Sequence, residues 1–431
     1  MREQELIVYR DFEDGKLLSD MVYLMENYKA GDEDKKKLQS LFYECFHELL
    51  ELAGRFGFYG NLWHCYLSNL LVNNENSYSM ACEIVGEVEG SINDAVLHDI
   101  EILKDLYDYD FTDMVNYLEV KDFSLALNYL GSMRESKVYN TRICKRIVEL
   151  ADRFNEDNSP VEMKRTLTEF YRDYGVGKFG LHKAFRVVHT EDGAKIVPIT
   201  NIAHVKLDDL VGYEAAKKKL TDNTEAFVEG RPCNNCLLFG DAGTGKSSSI
   251  KAIANQYYDA GLRIIEVYKH QFVDLNDVIS QIKNRNYKFI LYMDDLSFED
   301  FEIEYKYLKA VIEGGLEKKP KNVLIYATSN RRHLINEKFS ERGKADDEVH
   351  FRDTMQEKLS LYDRFGVTIY FESPSAKEFK HIVLELAKRN NIDMPDDELL
   401  SLANKWELAH NGLSGRSAQQ FIQNLLGSKN D

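Results

Sequence analysis

The fold of this chain is decided by the eight residues Gly240-Asp241-Ala242-Gly243-Thr244-Gly245-Lys246-Ser247. They match the pattern G-x-x-x-x-G-K-[ST], in which glycines let backbone N–H groups curl around a phosphate and the lysine reaches the outer phosphates. An apolar stretch at residues 236–239 precedes the loop, and a helical pattern begins at Lys246. The motif therefore predicts a phosphate-binding loop between a buried strand and a helix whose N-terminus adds positive charge.

Short apolar strands and helical patterns alternate on both sides of this loop. Further strands are predicted at residues 263–267, 289–293, 322–327 and 367–371. The stretch 289–293 is apolar on both faces, as a central parallel strand should be. The alternation predicts an α/β fold with a doubly wound parallel sheet. Three helices predicted at residues 376–389, 396–409 and 415–426 would form a small C-terminal lid.

A chain of 431 residues is long enough for two or three domains. Residues 1–173 repeat apolar positions at helical spacing and have no proline before Pro160, which predicts an α-helical N-terminal domain. The glycine-rich residues 174–206 are interpreted as a connector that packs on the next domain. Residues 207–372 form the predicted α/β nucleotide-binding domain and residues 373–431 the helical lid.

The net charge of −17 argues against a chain that coats nucleic acid through bulk positive charge, although it permits a local basic patch. No apolar run approaches the roughly 18 residues that span a bilayer, and the charged N-terminus has no apolar signal core. We therefore expect a cytoplasmic protein without a membrane partner. Four of the six cysteines are scattered among apolar neighbours, and nothing resembles a disulfide framework.

A pair of aspartates, Asp294 and Asp295, ends the apolar stretch 289–293. A carboxylate at the end of a central strand would lie beside the phosphates, so Asp294 is expected to hold Mg²⁺ together with the Ser247 hydroxyl. Asp295 is the candidate to polarise the attacking water. Its side chain is one methylene shorter than the usual Glu, so hydrolysis is expected to be slow or to involve Glu299.

Five segments carry a resemblance to AAA+ ATPases over residues 207–426, about half of the chain. They are LDDLVGYEAAKKKL (207–220), GDAGTGKSSSIKA (240–252), MDDLSFE (293–299), ATSNRRHL (327–334) and EKLSLYDRFG (357–366). More narrowly, these segments resemble an uncharacterised bacterial family of predicted P-loop ATPases that is described only as a domain of unknown function. The resemblance implies ATP and Mg²⁺ as ligands.

The resemblance also assigns roles to individual residues. Asn330, with Thr328 as the alternative, would be the polar sensor after the fourth strand. Arg364 would be an arginine finger that reaches the γ-phosphate of a neighbouring subunit, and Arg416 a lid arginine that contacts phosphate in its own subunit. The expected nucleotide contacts are Val211, Gly212, Gly240, Asp241, Ala242, Gly243, Thr244, Gly245, Lys246, Ser247 and Ser248.

The function implied is ATP hydrolysis that drives assembly or remodelling of a macromolecular partner by a homo-oligomer. A protein partner is favoured, and nucleic acid stays possible. The residues after 268 leave little room for a long pore loop, which favours an initiator or loader type of core over a threading unfoldase. The alternatives are a nucleotide-dependent binding switch with little turnover, suggested by Asp295, and, less favoured, a P-loop kinase of small molecules.

Two other patterns look like binding motifs but are interpreted as structural. Residues 175–180 spell G-x-G-x-x-G, but no convincing strand precedes them, so a turn is predicted instead of a dinucleotide site. Cys233 and Cys236 form a C-x-x-C pair without a second pair or a close histidine. Because a closed zinc site needs four ligands, a buried Cys236 is the favoured interpretation.

Overall fold

The computed structural model describes residues 3–29, 32–121, 123–131, 140–191, 193–200, 202–298, 304–313, 320–330, 362–410 and 412–428. The chain divides into two compact units, Met1–His182 (the first unit) and Lys183–Asp431 (the second unit). Within the described ranges, no helix is both long and apolar enough to cross a membrane.

The described part of the first unit is helical. Its helices are α1 (Lys16–Asn27), α2 (Asp32–Phe56), α3 (Leu62–Asn73), α4 (Ser77–Val85), α5 (Ile92–Tyr107), α6 (Thr112–Leu118), α7 (Ser124–Leu127), α8 (Thr141–Glu156), α9 (Pro160–Tyr174) and α10 (Gly177–Leu181). Helix α9 illustrates why they form where they do, since Ser159 caps its free N–H groups and Pro160 occupies the first turn. The turn predicted for residues 175–180 is wrong for residues 177–180, which lie in the short helix α10.

The core of the first unit is one continuous apolar cluster to which most of these helices contribute. Trp63 on α3 is fully buried, and its indole N–H donates to the carbonyl of Leu106 on α5 at 2.8 Å. Most of these helices are therefore amphipathic and bury one face. Helix α3 is the exception, since ten of its twelve residues are buried.

The second unit is built on a sheet with the strand order β2-β1-β4-β5-β6-β3-β7 among its described residues. The strands are β1 (Ala184–Thr190), β2 (Gly193–Pro198), β3 (Cys236–Gly240), β4 (Leu262–Glu266), β5 (Lys288–Met293), β6 (Val323–Ser329) and β7 (Val367–Phe371). The pair β1 and β2 is antiparallel, whereas every other neighbouring pair is parallel.

Helices of the second unit follow the strands. They are α11 (Glu214–Val228), α12 (Lys246–Gln256), α13 (Leu275–Ile282), α14 (Glu304–Glu313), and then α15 (Ala376–Arg389), α16 (Asp396–Ala409) and α17 (Gly415–Ser428). The last three helices pack around a small core of their own and together form the lid. Between β4 and α13 the chain forms only a 3₁₀ helix, Lys269–Asp274.

The parallel arrangement places the carboxyl ends of strands that are far apart in sequence next to one another. Strand β3 lies between β6 and β7, and β5 lies on the other side of β6, so the carboxyl ends of these strands share one edge of the sheet. In such sheets, ligands bind outside the carboxyl ends of the strands, where the strand order reverses. The phosphate-binding loop, the two aspartates and the polar residues after β6 all lie at this edge.

The segment interpreted as a connector contributes β1 and β2, so the sheet extends beyond the five strands predicted from the sequence. Strand β1 pairs with β4, and Phe185 and Val187 are buried while Arg186 is exposed. This alternation is typical of a strand with one buried face. The predicted boundaries at residues 173, 206 and 372 stay predictions, because the chain divides only between His182 and Lys183.

Candidate active site

The loop between β3 and α12 depends on glycines with left-handed backbone conformations. Gly240, Gly243 and Gly245 have φ angles of 135°, 76° and 94°. A Cβ atom on Gly240 would lie 2.0 Å from the carbonyl oxygen of Phe371, and one on Gly245 would lie 2.2 Å from Leu210. Only glycine fits these positions, so the loop backbone approaches its neighbours without side chains in between.

Lys246 is 6% exposed at the start of α12. Its ammonium donates to the carbonyl oxygens of Gly240 at 2.8 Å and Asp241 at 2.6 Å. Burial lowers the pKa of Lys246, while the carboxylates of Asp241, Asp295 and Asp294 act in the opposite direction. The ammonium is therefore held inside the loop by carbonyl oxygens, a role that phosphate oxygens can take over.

Asp294 lies after β5 and accepts two hydrogen bonds at the same oxygen, Oδ1. The donors are the hydroxyls of Ser247 at 2.7 Å and Thr328 at 2.6 Å. Desolvation raises the pKa of Asp294, but hydrogen bonds from Thr328 and Ser247 outweigh it, so the pKa lies below its usual value. A hydroxyl and an ionised carboxylate within hydrogen-bonding distance are the oxygen ligands that Mg²⁺ prefers, so these residues fit that ion.

Tyr292, two residues before Asp294 on β5, was missed by the sequence reasoning. Its side chain is 3% exposed, and its buried hydroxyl makes no hydrogen bond of ordinary geometry to the residues that the structure describes. Burial and the nearby charge of Asp294 both raise the pKa of Tyr292. The only sequence signal was a hydroxyl-bearing side chain in an otherwise apolar strand.

Asp295 adopts a left-handed conformation with a φ of 50°, which is uncommon for a residue with a side chain. Its N–H donates to the hydroxyl of Thr328 at 2.9 Å, and its carboxylate accepts from the amide of Asn330 at 2.7 Å. Both candidates for the polar sensor therefore contact the acidic pair, Thr328 from a buried position and Asn330 from an exposed one. Strained backbone of this kind clusters at functional sites.

These residues open into a cavity of about 690 Å³, a volume in the range of ligand sites. Its apolar wall includes Val211 together with Ile382 and Leu386 of the lid. Of the residues predicted from the sequence, the cavity brings together Val211, Ala242, Gly243, Thr244, Gly245, Lys246, Ser247, Ser248, Asp294, Asp295, Asn330 and Arg416. Gly212 lines a neighbouring cavity of about 540 Å³. Gly240 and Asp241 accept hydrogen bonds from the ammonium of Lys246 through their carbonyl oxygens.

Arg364 is not on the wall of this cavity. Its guanidinium forms an ion pair with Glu313 at the end of α14. Residues 331–361, which precede it, lie outside the described residues, and so does Glu299. A role in the site of the same chain is therefore not supported by the described contacts, whereas the predicted role at a neighbouring subunit stays a prediction.

Two contacts join the loop to the lid. The N–H of Arg416, at the start of α17, donates to the carbonyl oxygen of Gly243 at 3.1 Å. The carboxylate of Asp241 accepts from the hydroxyl of Ser373 at 2.7 Å and from its N–H at 3.2 Å, just before the first lid helix. The link to Ser373 left no signal in the sequence, because it joins residues that are far apart along the chain.

The sheet order β4-β5-β6-β3-β7, the glycine loop after β3, the acidic pair after β5, the polar residues after β6 and the helical lid define an α/β P-loop protein of the AAA+ class. The family "Protein of unknown function (DUF815)" matches residues 180–429, which is more than half of the chain. The chain belongs to this family.

Similarity to other proteins is more distant. The chain is 36% identical over 74 residues to the replication factor C large subunit of Staphylothermus marinus, a stretch that covers 17% of either chain. The RuvB Holliday junction branch migration motor of Thermotoga maritima aligns with a TM-score of 0.37 and 18% identity, over 52% of this chain and 64% of RuvB. The FIGL-1 AAA domain in complex with ADP aligns with a TM-score of 0.36 and 17% identity, over 52% and 73%. The chain thus covers less than two thirds of the first two proteins.

Proposed function

We propose that the chain binds ATP with Mg²⁺ in the 690 Å³ cavity and hydrolyses it to drive assembly or remodelling of a macromolecular partner. The observation that carries this proposal is the joining of Ser247, Asp294 and Thr328 by hydrogen bonds beside the buried Lys246. The ammonium at the glycine loop can bind the phosphates of a nucleoside triphosphate, and the hydroxyl and the carboxylate can hold its Mg²⁺.

The cavity suggests how each part of the nucleotide is held. Backbone N–H groups of the loop and the ammonium of Lys246 would bind the phosphates. The base would lie against Val211 and the apolar lid residues Ile382 and Leu386, with Gly212 behind. Ser247 and Asp294 would hold Mg²⁺, which supplies charge neutralisation of the phosphates when it is bound.

The residues of the chain then have distinct tasks in hydrolysis. Asp295 would polarise the attacking water, and Asn330 and Thr328 would fix its orientation. Arg416 would approach the phosphates within the subunit, and Arg364 would do so from a neighbouring subunit of a homo-oligomer. Catalysis would rest on positioning and on stabilisation of charge in the transition state. We favour a protein as the remodelled partner, with nucleic acid as the second option.

Two variants test the site. Lys246→Ala should abolish tight ATP binding in isothermal titration while the chain stays folded by circular dichroism. Asp295→Asn should keep ATP binding and lose phosphate release, since it preserves size and removes the negative charge. Lys218→Ala, an exposed lysine on α11, is the matched control and should change neither. A folded Lys246→Ala variant with unchanged affinity and turnover would overturn the assignment of the site.

A nucleotide-dependent binding switch with little turnover is the second candidate function. The observation that favours it is the hydrogen bond from Asn330, which engages the short side chain of Asp295. Phosphate release measured with and without the partner separates the two functions, because a switch stays slow in both conditions. The Asp295→Asn variant, loaded with ATP, is also the bait of choice to capture the partner.

A further inference from the structure

The hydroxyl of Tyr292 is a buried polar group that makes no hydrogen bond of ordinary geometry within the described part of the chain. It lies near the end of β5, close enough to Asp294 to interact with its carboxylate. Buried hydroxyls are nearly always hydrogen-bonded, because an unpaired one carries a free-energy cost. A hydroxyl of this kind beside a ligand site is therefore expected to gain a hydrogen bond when the ligand binds.

The surroundings of this hydroxyl are the two residues that would hold Mg²⁺. Tyr292 interacts electrostatically with Asp294 and lies close to Ser247 and Thr328. Both of these hydroxyls already donate to Oδ1 of Asp294. When Ser247 turns its oxygen toward a metal ion, it withdraws its hydrogen bond from Asp294. Asp294 can then accept a hydrogen bond from the nearby hydroxyl of Tyr292.

We propose that Tyr292 is a positioning residue of the metal site. Its hydroxyl would donate to Asp294 in place of Ser247 and so keep the carboxylate oriented for Mg²⁺. Residues that orient metal ligands in this way typically contribute about 10–100-fold to metal affinity. The inference rests on the proposed function, because it requires Mg²⁺ to bind at Ser247 and Asp294.

Tyr326 offers a matched comparison on the neighbouring strand. It pairs with Tyr292 in the register of β5 and β6 and is equally buried. Its hydroxyl, however, accepts a hydrogen bond from Asn223 at 2.8 Å and contacts the hydroxyl of Thr224 at 3.0 Å. Tyr326 is therefore a tyrosine whose hydroxyl belongs to the fold, and it controls for loss of a buried hydroxyl as such.

The test compares Tyr292→Phe with Tyr326→Phe in the full chain. ATP binding is titrated at a series of Mg²⁺ concentrations and again in EDTA, and unfolding by urea is followed without ligand. For Tyr292→Phe we expect the Mg²⁺ midpoint to rise about tenfold, with unchanged ATP affinity in EDTA and no loss of stability. For Tyr326→Phe we expect a lower urea midpoint and the wild-type Mg²⁺ midpoint.

The outcomes separate this inference from the proposed function. A wild-type chain whose ATP affinity is independent of Mg²⁺ overturns both. A Mg²⁺-dependent wild type together with an unchanged midpoint in Tyr292→Phe overturns only the role of Tyr292. A Tyr292→Phe variant that loses stability without a shift in the Mg²⁺ midpoint assigns the hydroxyl to the fold, and it also overturns the inference.

Discussion

Asp99 in the first unit and Lys246 in the second are both buried charges, but their partners differ. The carboxylate of Asp99 is fully buried and accepts hydrogen bonds of 2.6–2.9 Å from the N–H groups of Ile7, Val8 and Tyr9. Lys246 donates to carbonyl oxygens of its own loop, whose glycines leave room for a ligand. The first charge completes the fold, whereas the second is held ready for an anion.

The two units also differ in charge. Residues 1–182 contain 34 Asp and Glu against 20 Lys and Arg, and residues 183–431 contain 38 against 35. Most of the net charge of −17 therefore belongs to the helical unit. The argument that bulk negative charge opposes nucleic acid applies to the first unit and hardly to the second. A nearly neutral second unit also repels the polyanion ATP little.

The largest effect is expected from Asp99→Ala, which tests whether this charge serves the fold. The N–H groups of Ile7, Val8 and Tyr9 would lose their acceptor. At about 1–3 kcal/mol for each unsatisfied group, the loss of stability should be about 3 kcal/mol or more. Urea unfolding in a Trp406→Phe background measures it, because the chain has two tryptophans and Trp63 then reports on the first unit alone.

Asp105→Ala is the control for this prediction, since Asp105 is an exposed carboxylate on the same helix, α5. It should change stability by less than about 0.5 kcal/mol, as surface substitutions usually do. If Asp99→Ala behaves like Asp105→Ala, the buried carboxylate does not anchor the N-terminal segment. ATP affinity should be the same in both variants.

The next effect concerns two arginine–glutamate pairs, one in each unit. Arg364 pairs with Glu313 in the second unit and Arg153 with Glu169 in the first. If Arg364 acts on a neighbouring subunit, Arg364→Ala should lower turnover by up to about 10³-fold and leave ATP affinity nearly unchanged. Arg153→Ala should change neither quantity, because a surface pair contributes little even to stability.

An arginine that acts between subunits has two further consequences. Specific activity should rise with protein concentration, and ATP should shift the chain to a larger species in light scattering. A mixture of Arg364→Ala and Lys246→Ala should regain part of the activity, because some interfaces combine an intact loop with an intact arginine. A monomer that is fully active at every concentration would exclude this model.

The candidate site was more predictable from the sequence than the rest of the chain. A phosphate-binding loop needs fixed residue types at fixed spacing, so Lys246 and Ser247 could be named, and the end of a central strand identified Asp294. Strands β1 and β2 were assigned to a connector, because local pattern does not show which sheet edge a hairpin joins. The proximity of Tyr292 to Ser247 and Thr328 and the hydrogen bond from Ser373 to Asp241 depend on chain segments that meet only after folding.

The first unit shows the same limit. Apolar residues at helical spacing predicted its helices, since the described helices bury apolar side chains in a common core. The role of Asp99 was not predictable, because its partners lie about 90 positions away along the chain. The same holds for His64, whose ring stacks on Tyr107 with 4.0 Å between ring centroids.

The smallest effect is expected from His64, a titratable side chain that, like Asp99, serves the fold. Burial lowers its pKa to about 4, against the opposing effect of its hydrogen bond with the carbonyl of Tyr107. An unfolded histidine has a pKa near 6.5, so between about pH 6.5 and 4 only the unfolded chain takes up the proton. This contribution to stability is therefore complete above pH 6.5, and up to about 3 kcal/mol of it is lost as the pH falls to 4. His64→Gln keeps an N–H donor and removes the titration, so the difference in unfolding free energy between wild type and variant isolates it. With Trp63 as the reporter, we expect the wild type to lose more unfolding free energy than His64→Gln as the pH falls from about 6.5 to 4. Parallel pH profiles of the two proteins would contradict the assignment.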